Sequence, residues 1–330
     1  MKIAIFSCRS FEMKYLKEAN TNNYQILLIE KSLNKESVRE AKGCTAISIF
    51  SSDKIDKEML KNLVDLDIGL ITTRSAGTNH IDLKAAEKLG IKITNVPEYS
   101  PHAIAEHCIA LTLAIYRKLK RSFERVKDYN FDLSEQVGTE IYDKKVGICG
   151  TGEIGEVLAN LFQGFGASIY LFDIEKNLEL SNKSWATYVD KETLLKECDI
   201  ISLNLPLNKE THHFITENDL NYMKKSAILI NTGRGGLVDT KQVYEALQNK
   251  KIAGFGMDVY ENEEKMFYED HSKDEDKDEL LMALIAMDNV LVTAHQAFLT
   301  KTALENIMRT TFENLEAFYE DKELENKVYG

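Results

Sequence analysis

The residues best suited to chemistry follow two apolar runs in the second half of the chain. Arg234 comes after Ile228-Leu229-Ile230 and stands among glycines, where a guanidinium fork is accessible for bidentate binding of a carboxylate. His295 follows the run 291–294 and is a candidate general acid–base, because imidazole titrates near neutral pH. Position alone leaves both assignments open. An arginine in a turn can instead pair with an acid, and a lone histidine is more often structural.

A glycine-rich segment near the middle of the chain predicts a dinucleotide site. Residues 150–155 read Gly-Thr-Gly-Glu-Ile-Gly, between the apolar run 146–149 and a helix expected over 156–163. Such glycines permit a tight turn and close approach of the backbone to a pyrophosphate. Asp173 follows Gly150 by 173 − 150 = 23 residues, near the roughly 20 expected for an acid that binds a ribose 2′-hydroxyl. A carboxylate there favours NAD, because it would repel a 2′-phosphate.

Short apolar runs alternate with amphipathic segments in two blocks, 1–100 and 144–297. This rhythm predicts βαβ units and parallel sheets. The predicted strands are 2–7, 25–29, 46–50, 68–72 and 91–95 in the first block, and 145–149, 168–172, 200–205, 227–231, 252–258 and 290–294 in the second. An amphipathic helix over 300–320 has no partner strand in the second block, so we expect it to return to the first.

The prediction is therefore an α/β fold with two Rossmann-like or flavodoxin-like parallel-sheet domains. The dinucleotide-binding domain, 101–298, is inserted into a substrate-binding domain made of 1–100 and 299–330. Ser100 and Pro101 predict the N-cap and first residue of a helix that runs to about Tyr129. The apolar first half of this helix fits either an inter-domain core or a contact with a second subunit.

Composition excludes several classes of protein. The net charge of −12 opposes non-specific nucleic-acid binding, which needs clustered cations, and no stretch has the length and apolarity of a membrane span. The five cysteines include no CxxC pair, which predicts reduced thiols in a cytoplasmic protein. The acidic run 261–279 predicts a solvated loop. His212 and His213 are adjacent, and adjacent side chains on a strand or helix diverge, so no metal site is predicted.

The motifs GTGEIG, NTGRGG, MDVYENE and AHQAF, together with segments 74–82 and 95–101, have the order and spacing of the D-2-hydroxyacid dehydrogenase family. The chain resembles this family over nearly its whole length. Segments 257–264 and 295–300 are most similar to those of bacterial fermentative D-lactate dehydrogenases. This resemblance implies the fold, the cofactor NAD and the D stereochemistry, the last of which no residue spacing indicates.

The resemblance also implies roles for individual residues. The catalytic group would be Arg234, Glu263 and His295; spacing alone does not separate Glu263 from Glu261 or Glu264. Cofactor contacts are implied at Gly150, Gly152, Glu153, Ile154, Gly155, Asp173, Pro206, Thr211, Thr232, Gly233 and Asp258. Substrate contacts are implied at the amides of Ala76 and Gly77, with Arg74 nearby, at Arg234 and His295, and at Phe50, Tyr99 and Phe298 as walls around the methyl group.

The implied activity is the reversible NADH-dependent reduction of pyruvate to D-lactate by a homodimer or homotetramer. A bulkier 2-keto acid such as phenylpyruvate is the alternative substrate. An NAD-binding scaffold of the corepressor type, which also retains the three catalytic residues, is an alternative from a different class. The acidic composition of this chain argues against that alternative.

Overall fold

The computed structural model describes residues 2–329, apart from the side chain of Lys265, and its chain divides into two compact units. The first unit is Met1–Ser100 with Leu299–Gly330, and the second is Pro101–Phe298. Each contains one sheet, and all strand pairs within both sheets are parallel. The predicted α/β fold class is confirmed.

The sheet of the first unit has the strand order β2-β1-β3-β4-β5, which is the flavodoxin-like arrangement. Its strands are β1 Lys2–Ile5, β2 Gln25–Leu28, β3 Ala46–Ile49, β4 Leu70–Thr73 and β5 Lys92–Thr94. Its helices are α1 Met13–Ala19, α2 Lys57–Val64, α3 Leu83–Leu89 and α12 Lys301–Tyr319. The central strands β3 and β4 are buried along their whole length, as expected when helices cover both faces of a parallel sheet.

The C-terminal helix α12 packs in the first unit. The Thr300 hydroxyl caps its start by accepting a hydrogen bond from the Ala303 amide, and Asn314 Nδ2 donates to the Asn95 carbonyl at 2.9 Å. A Cβ on Gly69 would lie 2.9 Å from the ring of Phe318, so this glycine lets the helix approach the sheet closely.

The sheet of the second unit has the order β12-β11-β10-β9-β6-β7-β8. Its strands are β6 Lys145–Cys149, β7 Ser168–Phe172, β8 Ala186–Tyr188, β9 Ile200–Leu203, β10 Ile228–Asn231, β11 Gly254–Met257 and β12 Val290–Val292. Chain order reverses between β6 and β9, which makes this the switch point where doubly wound sheets bind ligands. There are seven strands rather than the predicted six, because the residues of β8, Ala186-Thr187-Tyr188, do not form an apolar run.

The helices of the second unit cover both faces of this sheet. They are α4 Pro101–Tyr116, α5 Leu119–Lys127, α6 Glu153–Gly164, α7 Leu178–Ser181, α8 Lys191–Glu197, α9 Glu217–Tyr222, α10 Thr240–Gln248 and α11 Glu279–Ala286. The segment predicted as one helix to Tyr129 is two helices, since Lys118 adopts a left-handed φ of 51°. Helix α4 packs against α6 and β11, whereas α5 has no buried residue.

Two further expectations concern the acidic segment and membranes. Between β11 and α11 the chain forms a short 3-10 turn, Glu263–Lys265, and otherwise irregular structure, which confirms the predicted loop. No helix among residues 2–329 is long and apolar enough to cross a membrane.

Candidate active site

Most of the predicted site residues in the second unit lie in loops that follow the carboxyl ends of its strands. The glycine-rich loop follows β6, Asp173 follows β7, and Arg234 follows β10. Asp258 follows β11 and His295 lies beyond β12. Because these strands are parallel, their carboxyl ends form one edge of the sheet, the edge that binds ligands in open α/β sheets.

The glycine-rich loop has room for a pyrophosphate at its second glycine. Gly150 has a φ of 96°, and a Cβ there would lie 2.5 Å from the Asn204 carbonyl oxygen. A Cβ on Gly155 would lie 2.0 Å from the Gly150 oxygen, so both glycines are required by close packing. At Gly152 a Cβ would meet no atom within 4 Å. That open space is where a diphosphate can approach the backbone.

Helix α6 begins directly after this loop and supplies donors for an anion. Gly152 is its N-cap and forms no side-chain capping bond, and Glu153 and Ile154 occupy the first turn. The first amides of a helix lack partners within the helix, and together with the helix dipole they favour a phosphate.

Asp173 is fixed beside the glycine-rich loop. Its Oδ2 accepts hydrogen bonds from the Thr151 amide at 2.6 Å and from the Thr151 hydroxyl at 3.2 Å. Its Oδ1 accepts from the Glu175 amide at 3.3 Å. The carboxylate is half-buried and follows β7, the second strand of this unit, where an acid that binds a ribose hydroxyl is expected.

Two buried polar atoms near the switch point have no partner in the described part of the chain. They are Thr232 Oγ1 after β10 and Asn204 Oδ1 after β9. An unsatisfied buried polar group costs about 1–3 kcal/mol, which hydrogen bonds to a bound cofactor would offset. The space at Gly152, the acid at Asp173 and these orphaned atoms together fit NAD.

Other predicted cofactor positions lie in loops whose conformation is fixed by hydrogen bonds within each loop. The Gly233 amide donates to Asn231 Oδ1 at 3.2 Å. The Thr211 hydroxyl donates to the Pro206 carbonyl at 2.6 Å and accepts from the Asn208 amide. The hydroxyl of Thr211 therefore shapes the loop that carries Pro206.

His295 and Glu263 form a hydrogen-bonded pair. Nδ1 of His295 lies 2.7 Å from Glu263 Oε1, and both side chains are about one-fifth exposed. Glu263 Oε2 accepts from the Tyr260 amide at 2.8 Å, which fixes the carboxylate. Tyr260 is buried, its hydroxyl donates to Asp278, and burial raises its pKa to about 12. The carboxylate favours the tautomer of His295 that carries a proton on Nδ1. Nε2 is therefore the nitrogen that can exchange a proton with a ligand.

Asp258 organises the loop that carries His295. Its buried carboxylate accepts from the Thr293 hydroxyl at 2.6 Å and from the Gln296 and Ala297 amides at 2.9 Å each. Its backbone carbonyl accepts from the His295 amide at 2.6 Å. His295 itself has a φ of 49°, a conformation that non-glycine residues rarely adopt and that persists only where the surroundings impose it.

Two contributors to this network were not identified from the sequence. His107 Nε2 lies 3.0 Å from the Thr293 hydroxyl and 3.5 Å from Asp258 Oδ1. The Tyr268 hydroxyl donates to the His295 carbonyl at 3.2 Å, and the two rings are 6.0 Å apart. The sequence gives no signal for either residue, since His107 is separated from Thr293 by 186 positions and Tyr268 lies in the irregular acidic segment.

Arg234 has an accessible guanidinium. Its Nη1 donates to the Gly233 carbonyl at 2.7 Å, and its side chain has no acidic partner among residues 2–329. The alternative of a turn arginine paired with an acid is therefore not observed. The side chain is half-buried and is available for an anionic ligand.

In the first unit, Ala76 and Gly77 lie in a loop after β4 that two hydrogen bonds hold in place. The Asn95 side chain donates to the Ala76 carbonyl at 2.8 Å, and the Ser75 hydroxyl donates to the Gly77 carbonyl at 2.8 Å. Arg74, expected near the substrate carboxylate, is instead buried. Its Nε donates to Glu12 at 2.7 Å and its other nitrogens donate to Ser48, Phe6 and Ser7. These hydrogen bonds hold the guanidinium in the core, next to the loop that carries Ala76 and Gly77.

The three predicted aromatic walls have different surroundings. Phe50 follows β3 and is 3% exposed. The Arg74 guanidinium carbon lies 5.6 Å from the centroid of the Phe50 ring. Tyr99 is half-buried, and its carbonyl accepts from the Asn306 side chain at 2.7 Å. Phe298 is half-buried and follows the Ala297 amide that bonds to Asp258.

The side chains of His212 and His213 do not diverge as the sequence analysis expects. The rings of His212 and His213 are stacked with centroids 4.0 Å apart, and together with Glu261 they form a group that could hold a metal ion. Adjacent side chains diverge only on a regular strand or helix. His213 has a left-handed φ of 51°, which brings its ring to the same side as that of His212.

Comparison with known proteins connects this geometry to one family. A profile described as D-isomer specific 2-hydroxyacid dehydrogenase, NAD binding domain, matches residues 109–297. D-lactate dehydrogenase of Escherichia coli (strain K12) is 39% identical over 319 residues, which span 96% of each chain.

Solved structures show the same similarity. The pyruvate reductase of Chlamydomonas reinhardtii superposes with a TM-score of 0.92 at 34% identity, covering 99% of this chain and 98% of that one. D-2-hydroxyisocaproate dehydrogenase superposes with a TM-score of 0.88 at 32% identity, covering 100% of both chains.

Proposed function

Because the chain belongs to the D-isomer specific 2-hydroxyacid dehydrogenase family and is an NAD-dependent oxidoreductase, we propose that it reduces pyruvate to D-lactate with NADH, reversibly. The observation that carries this proposal is the pairing of His295 with Glu263 at 2.7 Å, at the sheet edge that also holds the dinucleotide loop and Arg234, which has no acidic partner among residues 2–329. An acid–base, a carboxylate-binding group and a dinucleotide site are the components that reduction of a 2-keto acid requires.

Arg234 binds the carboxylate of the keto acid in this proposal. A guanidinium offers two parallel N–H groups to a carboxylate, which fixes orientation as well as position. The net charge of −12 repels an anion at long range, so a local cation is needed to hold the substrate. Holding the carboxylate aligns the neighbouring carbonyl with the reacting groups.

His295 then supplies the proton. Its Nε2 donates to the carbonyl oxygen of the substrate during reduction and takes a proton from the hydroxyl in the reverse direction. Glu263 holds the ring by Nδ1 and stabilises the positive charge that the imidazole carries when protonated. NADH, when bound, supplies a hydride to the carbon of the same carbonyl group.

Substrate contacts are also assigned to residues of the first unit, from the family resemblance. The amides of Ala76 and Gly77 have no protein acceptor in the described chain and are assigned as further carboxylate contacts. Phe50, Tyr99 and Phe298 are assigned as walls around the methyl group. Aromatic walls of this kind favour a small apolar substituent on the keto acid.

The family also contains enzymes whose names indicate larger substrates. The similarity to D-2-hydroxyisocaproate dehydrogenase, 32% identical over the whole chain, keeps a bulkier 2-keto acid as a second candidate. Initial rates of NADH oxidation with pyruvate, 2-ketoisocaproate and phenylpyruvate decide between them. We expect the highest kcat/KM with pyruvate; a higher value for either bulkier acid would overturn the pyruvate assignment and leave the reaction class intact.

We further propose that the enzyme is a cytoplasmic homo-oligomer. The five cysteines are free and buried, as in proteins of reducing compartments. The segment Leu119–Tyr142 exposes large apolar side chains, each more than 60% exposed: Phe123, Tyr129, Phe131, Leu133, Val137 and Tyr142. Such a concentration of exposed apolar groups marks an interaction surface, and we assign it to a second copy of this chain.

A further inference from the structure

His212, His213 and Glu261 form a second group of side chains in the NAD-binding unit, separate from Arg234 and His295. Each offers one ligand-capable atom, and these atoms all lie within 4.8 Å of one another. Two imidazoles and one carboxylate are a donor set that suits zinc and similar transition metals, whereas Mg²⁺ and Ca²⁺ prefer oxygen ligands alone. We propose that these three residues bind a divalent transition-metal ion such as Zn²⁺.

The backbone presents the two imidazoles together. The left-handed conformation of His213 is held by its amide, which donates to the Gly236 carbonyl at 2.8 Å. The rings are stacked with centroids 4.0 Å apart and an interplanar angle of 28°. A metal ion lies near the plane of each imidazole that binds it, so the exposed His212 ring must rotate out of this stack for both histidines to bind one ion. A left-handed non-glycine residue costs conformational energy that the surrounding structure must offset, and metal binding is one interaction able to do so.

The carboxylate is positioned independently of any ion. Glu261 Oε2 accepts from the Thr240 amide at 3.3 Å at the start of α10, and Oε1 lies 2.5 Å from His213 Nε2. Two donors bound to one zinc ion lie roughly 3.3 Å apart in tetrahedral geometry. Binding therefore needs this contact to open by roughly 1 Å or less, and the ion replaces the proton that the two atoms share.

A second carboxylate lies near His213. Its Nδ1 is 4.0 Å from Asp239 Oδ2, beyond hydrogen-bond distance. Ligating histidines commonly direct their other nitrogen to a carboxylate, so binding would need this contact to shorten. His212 is exposed, so water can complete the coordination sphere.

A bound ion would link segments that adjoin the proposed catalytic residues. Gly236, which accepts from His213, follows Arg234 by two positions, and Glu261 precedes Glu263 by two. The ion would thus connect the loop after β9, which carries both histidines, to the loop after β11, which carries Glu261. The expected effect is stabilisation of this edge of the unit, without a part in proton or hydride transfer.

Isothermal titration of the metal-free full-length protein with Zn²⁺, in buffer without chelators, tests the site. We expect one ion per chain with micromolar affinity and no saturable binding of Mg²⁺. His212→Gln should weaken Zn²⁺ binding at least about tenfold. His271→Gln is the matched control, because His271 also pairs with an acid, Asp274, at 2.6 Å but lies outside the group.

Thermal unfolding provides the second measurement. Zn²⁺ should raise the Tm of the wild-type protein by about 2–4 °C and leave that of His212→Gln unchanged. Absence of saturable Zn²⁺ binding at about 100 µM, or equal affinity of the two variants, would overturn the site. Neither readout uses turnover, so failure of the proposed lactate chemistry would be seen separately in the keto-acid assay.

Discussion

His295 occupies a backbone conformation that four neighbouring groups impose. Asp258 binds the loop through its carboxylate and carbonyl, Tyr268 holds the His295 carbonyl, and Glu263 holds the ring. A left-handed residue costs of order 1–3 kcal/mol, so this arrangement is retained at a cost to stability. This cost is consistent with a residue whose side-chain orientation matters more than the conformational energy of its backbone.

Replacing the imidazole therefore tests its role directly. His295→Gln should lower kcat roughly 10²–10⁴-fold, because a positioned acid–base contributes that much, with little change in Tm. Steady-state kinetics of keto-acid reduction would measure it, with His271→Gln as the control substitution at another histidine paired with an acid. Retention of near-normal kcat in His295→Gln would rule out proton donation by this residue.

Arg234 offers a graded test of carboxylate binding. Arg234→Ala should raise KM strongly and also lower kcat, since both binding and orientation are lost. Arg234→Lys keeps the charge but loses the planar fork, and we expect kinetics between those of wild type and Arg234→Ala. Identical kinetics for the two variants would mean that the positive charge by itself contributes nothing to binding, and near-wild-type kinetics for Arg234→Ala would rule out carboxylate binding by this residue.

Asp173 is expected to set the preference for NADH over NADPH. Asp173→Asn keeps an oxygen that can accept from the Thr151 amide but removes the negative charge that repels a 2′-phosphate. The ratio of kcat/KM for NADH to that for NADPH should fall at least about tenfold, equivalent to about 1.4 kcal/mol. Measurement with both cofactors at saturating pyruvate decides the matter, and an unchanged ratio would contradict the charge argument.

At the level of elements, the helix whose packing needs explanation is α5. No residue of this helix is buried, yet helices of nine residues are marginal in water without packing. The chain that follows it adds Phe131 and Leu133, which are 64% and 78% exposed. A partner surface would supply the packing that the isolated chain lacks.

Disrupting that surface should change the oligomeric state. The double variant Phe131→Ser/Leu133→Ser should shift the protein to a smaller species in size-exclusion chromatography with light scattering. Met282→Ser on α11, 52% exposed, is the control and should leave the mass unchanged. A wild-type protein that is already monomeric at micromolar concentration would contradict the assignment.

The elements predicted from sequence were those with a strong periodic signal. Strands β6 and β7 occur at the predicted residues, and α12 spans Lys301–Tyr319, one residue shorter at each end than predicted. The break at Lys118 and the stacking at His213 were not predicted, because both depend on left-handed residues that carry no glycine signal. The buried position of Arg74 was also missed, since its partner Glu12 is 62 positions away.

The candidate site was predictable to the extent that it follows strand ends. Arg234 and His295 stood out because strand ends in a parallel sheet share one edge. The supporting contacts of His107 and Tyr268 join distant segments. A single sequence does not indicate such pairings, and only the folded chain reveals them.

For the molecule as a whole, the thiols are expected to be inert. Burial raises the pKa of Cys8 to about 11 and that of Cys108 and Cys149 to about 12. The thiolate is the reactive form, so native protein at pH 7.5 should react with iodoacetamide only slowly and keep its activity. Mass spectrometry of native and urea-unfolded samples would compare the extents. Rapid labelling of the native protein with loss of activity would contradict this.

Interconversion of D-lactate and pyruvate with NAD is the activity that we propose for this chain. The most direct measurement is NAD reduction by the purified protein with D-lactate and, separately, with L-lactate, followed at 340 nm. We expect turnover with D-lactate that is abolished or lowered roughly 10²–10⁴-fold in His295→Gln, and no turnover with L-lactate. Oxidation of L-lactate at a comparable rate, or of neither enantiomer, would contradict it.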